Sequence, residues 1–203
     1  MTSTADTANS KLTGTVLIAS SLMVILTMAH HPSGPEGMSG LVVVVHGIMI
    51  LLMLLLFTAF LSYSAYRRFQ NPSVLFALVC YGTSVLLNIG AATVNGFVVG
   101  ALANRETAVN QDIFRLCWEI NQALARLGVA TMGLAVLFWS IDLFRRQKSA
   151  RWIALFGFPV ALLPLVWFAV VSSDLGVTVA IWVYGGHAVG AIGRGRHLRR
   201  GVL

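Results

Sequence analysis

The chain has 203 residues, of which 57% are apolar and 10% are charged, and its formal net charge is +7. Soluble domains carry about a quarter charged residues and fewer than half apolar ones, so the composition excludes an ordinary soluble protein. A helix that crosses a bilayer needs about 20 apolar residues, and several such helices would use up this chain. We therefore expect one all-α, polytopic membrane domain.

Six apolar runs follow one another along the chain, each long enough to cross a bilayer. They are Leu12–Ala29, Leu41–Tyr63, Val74–Leu102, Ile113–Phe144, Trp152–Val171 and Leu175–Gly193. Polar breaks with helix-stopping residues separate them, such as Asn71-Pro72 after the second run. Pro159 and Pro164 predict a kinked fifth helix, and Met1–Ser10 is expected to be a mobile polar tail. The pattern predicts a bundle of six transmembrane helices.

The distribution of Lys and Arg between alternate loops predicts the orientation of this bundle. Two basic residues, Arg105 and Arg115, flank the runs on one side, and eleven flank them on the side of the N-terminus. The eleven are Lys11, Arg67, Arg68, Arg145, Arg146, Lys148, Arg151, Arg194, Arg196, Arg199 and Arg200. The positive-inside rule then places both termini in the cytoplasm. A cleavable signal at the first run is disfavoured because only Lys11 precedes it.

Where basic residues flank apolar runs, their expected partner is the lipid head group and not nucleic acid. The short loops favour a bacterial inner membrane. Homo-oligomers and larger membrane complexes are both compatible with so little mass outside the bilayer. The chain contains no nucleotide, zinc-protease or hydrolase motif, so neither a reaction nor a cofactor follows from it.

Polar side chains inside the apolar runs are the strongest functional signal, because they are costly in lipid and normally face the bundle interior. The third and fourth runs each carry them at helical spacing, which places them on one face of each helix. On the third run the positions are Ser84, Asn88, Ala91 and Asn95. On the fourth they are Arg115, Glu119, Gln122 and Arg126.

The depths of these residues follow from counting outward from the centre of the predicted α-hairpin near Thr107. Asn95 is then level with Glu119, and Asn88 with Arg126. His46, counted from the preceding connection, falls in the layer of Asn95 and Glu119. The sequence predicts a polar pocket, open to the outer side, that binds or transports a small polar or ionic ligand. The predicted ligand-binding residues are His46, Asn88, Asn95, Glu119, Gln122 and Arg126.

Two alternatives stay open for the same polar residues. Imidazoles and a carboxylate near the outer interface would suit a first-row metal, so a metal-dependent membrane enzyme could use Glu119 with the predicted metal ligands His30, His31 and His46. The amides could instead only hold helices together, as in a structural or assembly subunit.

For His187 the sequence favours packing over a ligand role, and for the two cysteines it excludes a disulfide. His187 lies beside Gly186 and Gly190, a spacing that favours close helix packing with a hydrogen bond from the imidazole across the interface. A haem held by His187 and His46 is disfavoured because the two lie at opposite depths. Cys80 and Cys117 lie roughly 25 Å apart along neighbouring helices, too far for a disulfide.

Overall fold

A computed structural model describes residues 4–30, 40–67, 69–104, 110–146, 151–170 and 177–199. Within these ranges every regular element is helical, which confirms the all-α prediction. The helices are α1 (Thr4–Ala29), α2 (Gly40–Tyr66), α3 (Pro72–Ala103), α4 (Gln111–Arg146), α5 (Arg151–Val170) and α6 (Val177–Arg199). Helix α1 begins eight residues before the apolar run that predicts it, so most of the expected polar tail is helical.

Helix α3 is continuous but irregular. It begins with Pro72, and the side chain of Asn71 caps it by accepting a hydrogen bond from the Ser73 backbone N–H at 3.3 Å. After Thr93 the backbone adopts a π-helical turn, Val94–Val98, before its last α-helical segment, Val99–Ala103. Such a turn rotates the residues around it relative to a regular α-helix.

Consecutive helices pack against each other, and α6 returns to pack against α1. Close contacts at glycines show that the neighbours are antiparallel. In the seam between α5 and α6, for example, Gly186 faces Val160 and Gly193 faces Ile153. Gly195 of α6 meets the Gly14 carbonyl of α1 so closely that a Cβ there would lie 2.6 Å from the oxygen. Both chain ends therefore lie at the same end of the bundle, which we call the terminal end.

The core is centred on aromatic rings from three helices. Phe60 of α2 stacks on Trp139 of α4 with ring centroids 4.5 Å apart, and Tyr81 of α3 packs on both. The hydroxyl of Tyr81 lies 3.3 Å from Nε2 of the buried His187. This contact confirms the predicted hydrogen bond between His187 and another helix.

Among the residues that the structure describes, four helical segments are long and apolar enough to cross a membrane, and they lie in the first four helices. They are Ala8–Ala29, Leu41–Tyr66, Pro72–Ala103 and Gln111–Arg145. The described part of α5 contributes a shorter apolar helix, Arg151–Val166, which continues through both internal prolines. Large apolar side chains cover the outside of the bundle, as lipid requires. These features are those of a membrane-embedded protein.

Helix α4 is longer than the bilayer is thick. Its 36 residues span about 54 Å at 1.5 Å per residue, against about 30 Å of hydrocarbon. Around Trp118 and Ile120 its side chains are exposed on most sides, with Cys117 as the buried exception. Cys117 and Cys80 are both free thiols, as predicted.

Candidate functional site

His46 belongs to α2 and faces α3. Its buried imidazole contacts one group on each of the two helices. Nδ1 is 2.8 Å from the backbone carbonyl of Val42, one turn earlier in α2. Nε2 is 3.3 Å from the side-chain nitrogen of Asn95. A carbonyl accepts only from N–H, so Nδ1 carries the proton and Nε2 accepts from the Asn95 amide. The contacts therefore define one tautomer of a neutral imidazole.

The π-helical turn and a glycine bring α3 close enough for this contact. Asn95 and Gly96 both lie in the turn, and a Cβ at Gly96 would overlap Cβ of His46. At the next residue of α2, Gly47, a Cβ would lie 4.0 Å from the Phe97 ring, which is an ordinary contact. The absence of a side chain at Gly96 thus allows the approach of the two helices that joins His46 to Asn95.

Asn88 lies about two turns from Asn95 in the seam between α3 and α4. Its amide nitrogen donates to the backbone carbonyl of Ser84 at 2.9 Å, and the Ser84 hydroxyl donates to the Gly128 carbonyl of α4 at 2.7 Å. Gly128 faces the Asn88 amide, and Gly90 faces Leu124. These contacts agree with the register obtained by counting outward from Thr107.

The structure does not bring all the predicted residues of α4 into one buried cluster. Gln122 is buried and Arg126 is half-buried. Glu119 is exposed, one turn before Gln122 along the helix. The predicted site residues therefore differ in exposure. The His46–Asn95 contact is part-buried and Asn88 is buried, whereas the Glu119 carboxylate is on the exposed face of α4.

The predicted histidine metal site is only partly described. His30 is exposed at the end of α1, with its Nδ1 2.9 Å from the Leu26 carbonyl, and His31 lies outside the described residues. In the part of the chain that the structure describes, no group of three or more His, Cys, Asp or Glu residues is placed to hold a metal.

Sequence analysis missed a buried ion pair at the terminal end. Asp142 of α4 accepts hydrogen bonds from Arg67 Nε at 2.9 Å and Nη2 at 2.7 Å, and another from the Asn71 side chain. Asp142 stands inside the fourth apolar run, so the rule that selected Glu119 also applied to it. The sequence indicates Arg67 only as a basic residue that flanks an apolar run. Its ion pair was not predictable in the same way, because it depends on tertiary packing.

A second missed residue is Arg194, which the orientation count places at the membrane boundary. Its side chain is instead enclosed between the helices near the terminal end of the bundle, where Arg194 is 1% exposed. The guanidinium carbon lies 5.9 Å from the centre of the Trp139 ring, and Nη1 lies close to Gly190 of its own helix. The sequence signal was available in Gly190, four residues earlier, which leaves space for a long side chain along α6.

Comparison with protein-family models, with curated proteins and with solved structures finds no match to the chain. The functional proposal below therefore depends on the geometry of the chain itself.

Proposed function

We propose that this chain is an integral membrane protein that binds or transports a small polar or ionic ligand beside His46 and Asn95. The observation that carries the proposal is the hydrogen bond between these two side chains at the π-helical turn of α3. Turns of this kind are rare and occur frequently at functional sites. A buried histidine in an apolar bundle is also a residue type that marks ligand and proton pathways.

The chemistry of the pair suits a polar ligand. The Asn95 amide supplies both a donor and an acceptor, and the two ring nitrogens of the neutral His46 imidazole supply one of each. A ligand that replaces their mutual hydrogen bond would leave neither group unsatisfied, which keeps the cost of entry low. We place Asn88, Gln122 and Arg126 along the inner path of this ligand and Glu119 at its exposed rim.

Native mass spectrometry of the full-length protein tests this function. We expect the wild type and an Asn104→Ala control to retain a non-protein mass that Asn95→Ala loses. Asn104 is a suitable control because it is also an asparagine, is exposed, and directly follows the last residue of α3. A weakly held ligand requires a second measurement, the melting temperature of each variant with ammonium, choline, glycine and nickel chloride. The proposal fails if wild type and Asn95→Ala agree in both measurements.

A structural or assembly role is the second candidate, and the Ser84–Gly128 hydrogen bond favours it because it joins α3 to α4 without a ligand. Normal folding and complex formation by a Glu119→Gln, Arg126→Gln double variant, with no retained mass in the wild type, would support this role. The metal-dependent enzyme that would use His30, His31 and His46 stays a prediction. Elemental analysis of the purified protein tests it.

We further propose that all six helices cross the bilayer, with both termini in the cytoplasm of a bacterial cell and the domain in its inner membrane. The excess of basic residues around the terminal end supports this orientation. The closed, antiparallel order of the six helices supports an even number of crossings, since α6 returns beside α1. A homo-oligomer or a larger membrane complex stays a prediction.

A further inference from the structure

Among the residues that the structure describes, the buried Arg194 guanidinium has no hydrogen-bond partner. Its side chain is nine-tenths or more enclosed, and none of Nε, Nη1 and Nη2 has a partner among the described residues. Arg194 lies five residues before the end of α6, roughly 7 Å along the helix. A buried charge of this kind is normally paired, because removal from water costs several kcal/mol.

The groups around the guanidinium are hydroxyls and an indole, each of which can donate a hydrogen bond to a bound anion. A Cβ at Gly157 of α5 would overlap the Ser140 hydroxyl and lie 3.7 Å from Arg194 Nη2, so both groups face the same bare stretch of helix. The Tyr63 hydroxyl is also close to the guanidinium, but not with hydrogen-bond geometry. The buried Ser140 and Tyr63 hydroxyls and the Trp139 indole N–H likewise have no partner among the described residues.

The described carboxylate at this end of the bundle, Asp142, belongs to another pair. Asp142 follows Trp139 and Ser140 on α4, but both of its carboxylate oxygens accept hydrogen bonds from Arg67 and Asn71. Within the described residues, one positive charge therefore lies among hydroxyl groups, an indole and aromatic rings, and it has no carboxylate partner. That combination is complementary to an anion.

We propose that Arg194, Ser140 and Tyr63 form a binding site for a monovalent oxyanion near the terminal end of the bundle. One guanidinium balances one negative charge, and a second buried charge would be uncompensated. The planar fork of the guanidinium matches a pair of oxygens, which a carboxylate or a phosphodiester presents. A free carboxylate and the phosphodiester of an anionic lipid are the two sources of this chemistry.

This site is separate from the one proposed at His46. Tyr63 lies beside Arg194, and His46 lies seventeen residues earlier on the same helix, roughly 25 Å away at 1.5 Å per residue. The two sites therefore stand or fall independently. A variant at Asn95 should leave the oxyanion site intact.

Equilibrium binding of radiolabelled acetate to the full-length protein in phosphatidylcholine nanodiscs tests the first source. We expect saturable binding that weakens at least tenfold in Arg194→Gln and several-fold in Ser140→Ala. Arg196→Gln is the matched control, because Arg196 is exposed on the same helix, and it should bind like the wild type. Acetate should also raise the melting temperature of the wild type but not of Arg194→Gln, a difference that a purely structural arginine would not produce.

Retention of phosphatidylglycerol in native mass spectra tests the second source. Retention by the wild type and Arg196→Gln, with loss in Arg194→Gln, supports a lipid phosphodiester. If Arg194→Gln does not fold, Ser140→Ala and Arg194→Lys serve in both assays, and both should bind more weakly than the wild type. The proposal is overturned if the wild type binds neither acetate nor phosphatidylglycerol, or if the folded variants bind as the wild type does.

Discussion

At the scale of single residues, three arginines near the terminal end differ in their surroundings although they look equivalent in the sequence. Arg67 bonds to a carboxylate, Arg194 is enclosed among hydroxyl groups and rings, and Arg196 is exposed. A charge in a low-dielectric interior is stabilised only by what touches it. The same side chain is therefore expected to contribute to stability at Arg67 and to cost stability at Arg194 when no anion is bound.

The Asp142–Arg67 pair leads to a prediction about stability. The side chains are 1% and 10% exposed, respectively, and removal of one partner from a buried pair leaves the other charge uncompensated. We expect Asp142→Asn to lower the free energy of unfolding by about 3 kcal/mol, measured by denaturation in detergent micelles.

Asp112→Asn is the control for this prediction, because Asp112 is exposed in the first turn of the same helix. It should cost less than about 1 kcal/mol. The double variant Arg67→Gln, Asp142→Asn should cost less than the sum of its single changes, because each single change removes the same interaction. Equal effects of Asp142→Asn and Asp112→Asn would contradict a stabilising ion pair.

At the scale of elements, the seam between α2 and α3 depends on small residues facing large ones. The π-helical turn contains both Asn95, which contacts His46, and Gly96, whose missing side chain makes room for the imidazole. In lipid, helices associate through close packing and hydrogen bonds between helices, since lipid tails are as apolar as the side chains. A single added methyl group is therefore expected to disturb both packing and the polar contact.

Gly96→Ala tests this packing directly. A Cβ there would overlap His46, so we expect a loss of about 2 kcal/mol of stability from overpacking and the loss of any ligand retained at Asn95. Gly185→Ala is the control, because no described atom outside its own helix turn lies within 4 Å of a Cβ at that position. It should be neutral or stabilise the helix by up to about 1 kcal/mol. Equal melting temperatures of the two variants would rule out a tight seam.

At the scale of the whole molecule, the ring of helices closes where α6 meets α1, beside Gly14 and Gly195. This closure places the basic ends of α2, α4 and α6 together, along with the Asp142 pair and Arg194. The orientation of the protein is the side of the membrane that this terminal end faces. The positive-inside rule predicts that it faces the cytoplasm.

Cysteine labelling in intact cells tests the orientation. In a background of Cys80→Ala and Cys117→Ala, the exposed positions Asn9 and Arg196 lie near the chain termini, and Asn110 lies at the opposite end. We expect Asn110→Cys to react with a membrane-impermeant maleimide in intact cells. Asn9→Cys and Arg196→Cys should react only after permeabilisation. Reaction of those two from opposite sides would mean an odd number of crossings.

The helical content and the depth register were predictable, because both depend on local periodicity and on counting residues from a turn. Apolar runs of sufficient length form helices in lipid, where the backbone has to satisfy its own hydrogen bonds. The contacts of Asn88 with Gly128 and of Gly90 with Leu124 follow from the geometry of an antiparallel hairpin. The contact of His46 with Asn95 followed from the same counting.

The environment of each polar side chain was not predictable in the same way. The exposed position of Glu119 and the enclosed position of Arg194 depend on how far neighbouring helices extend and how they are rotated about their axes. The sequence alone determined a helical membrane domain and the levels of its polar residues. Only the tertiary structure decided which charges are paired and which are enclosed, because rotation and separation of helices depend on packing between residues far apart in the chain.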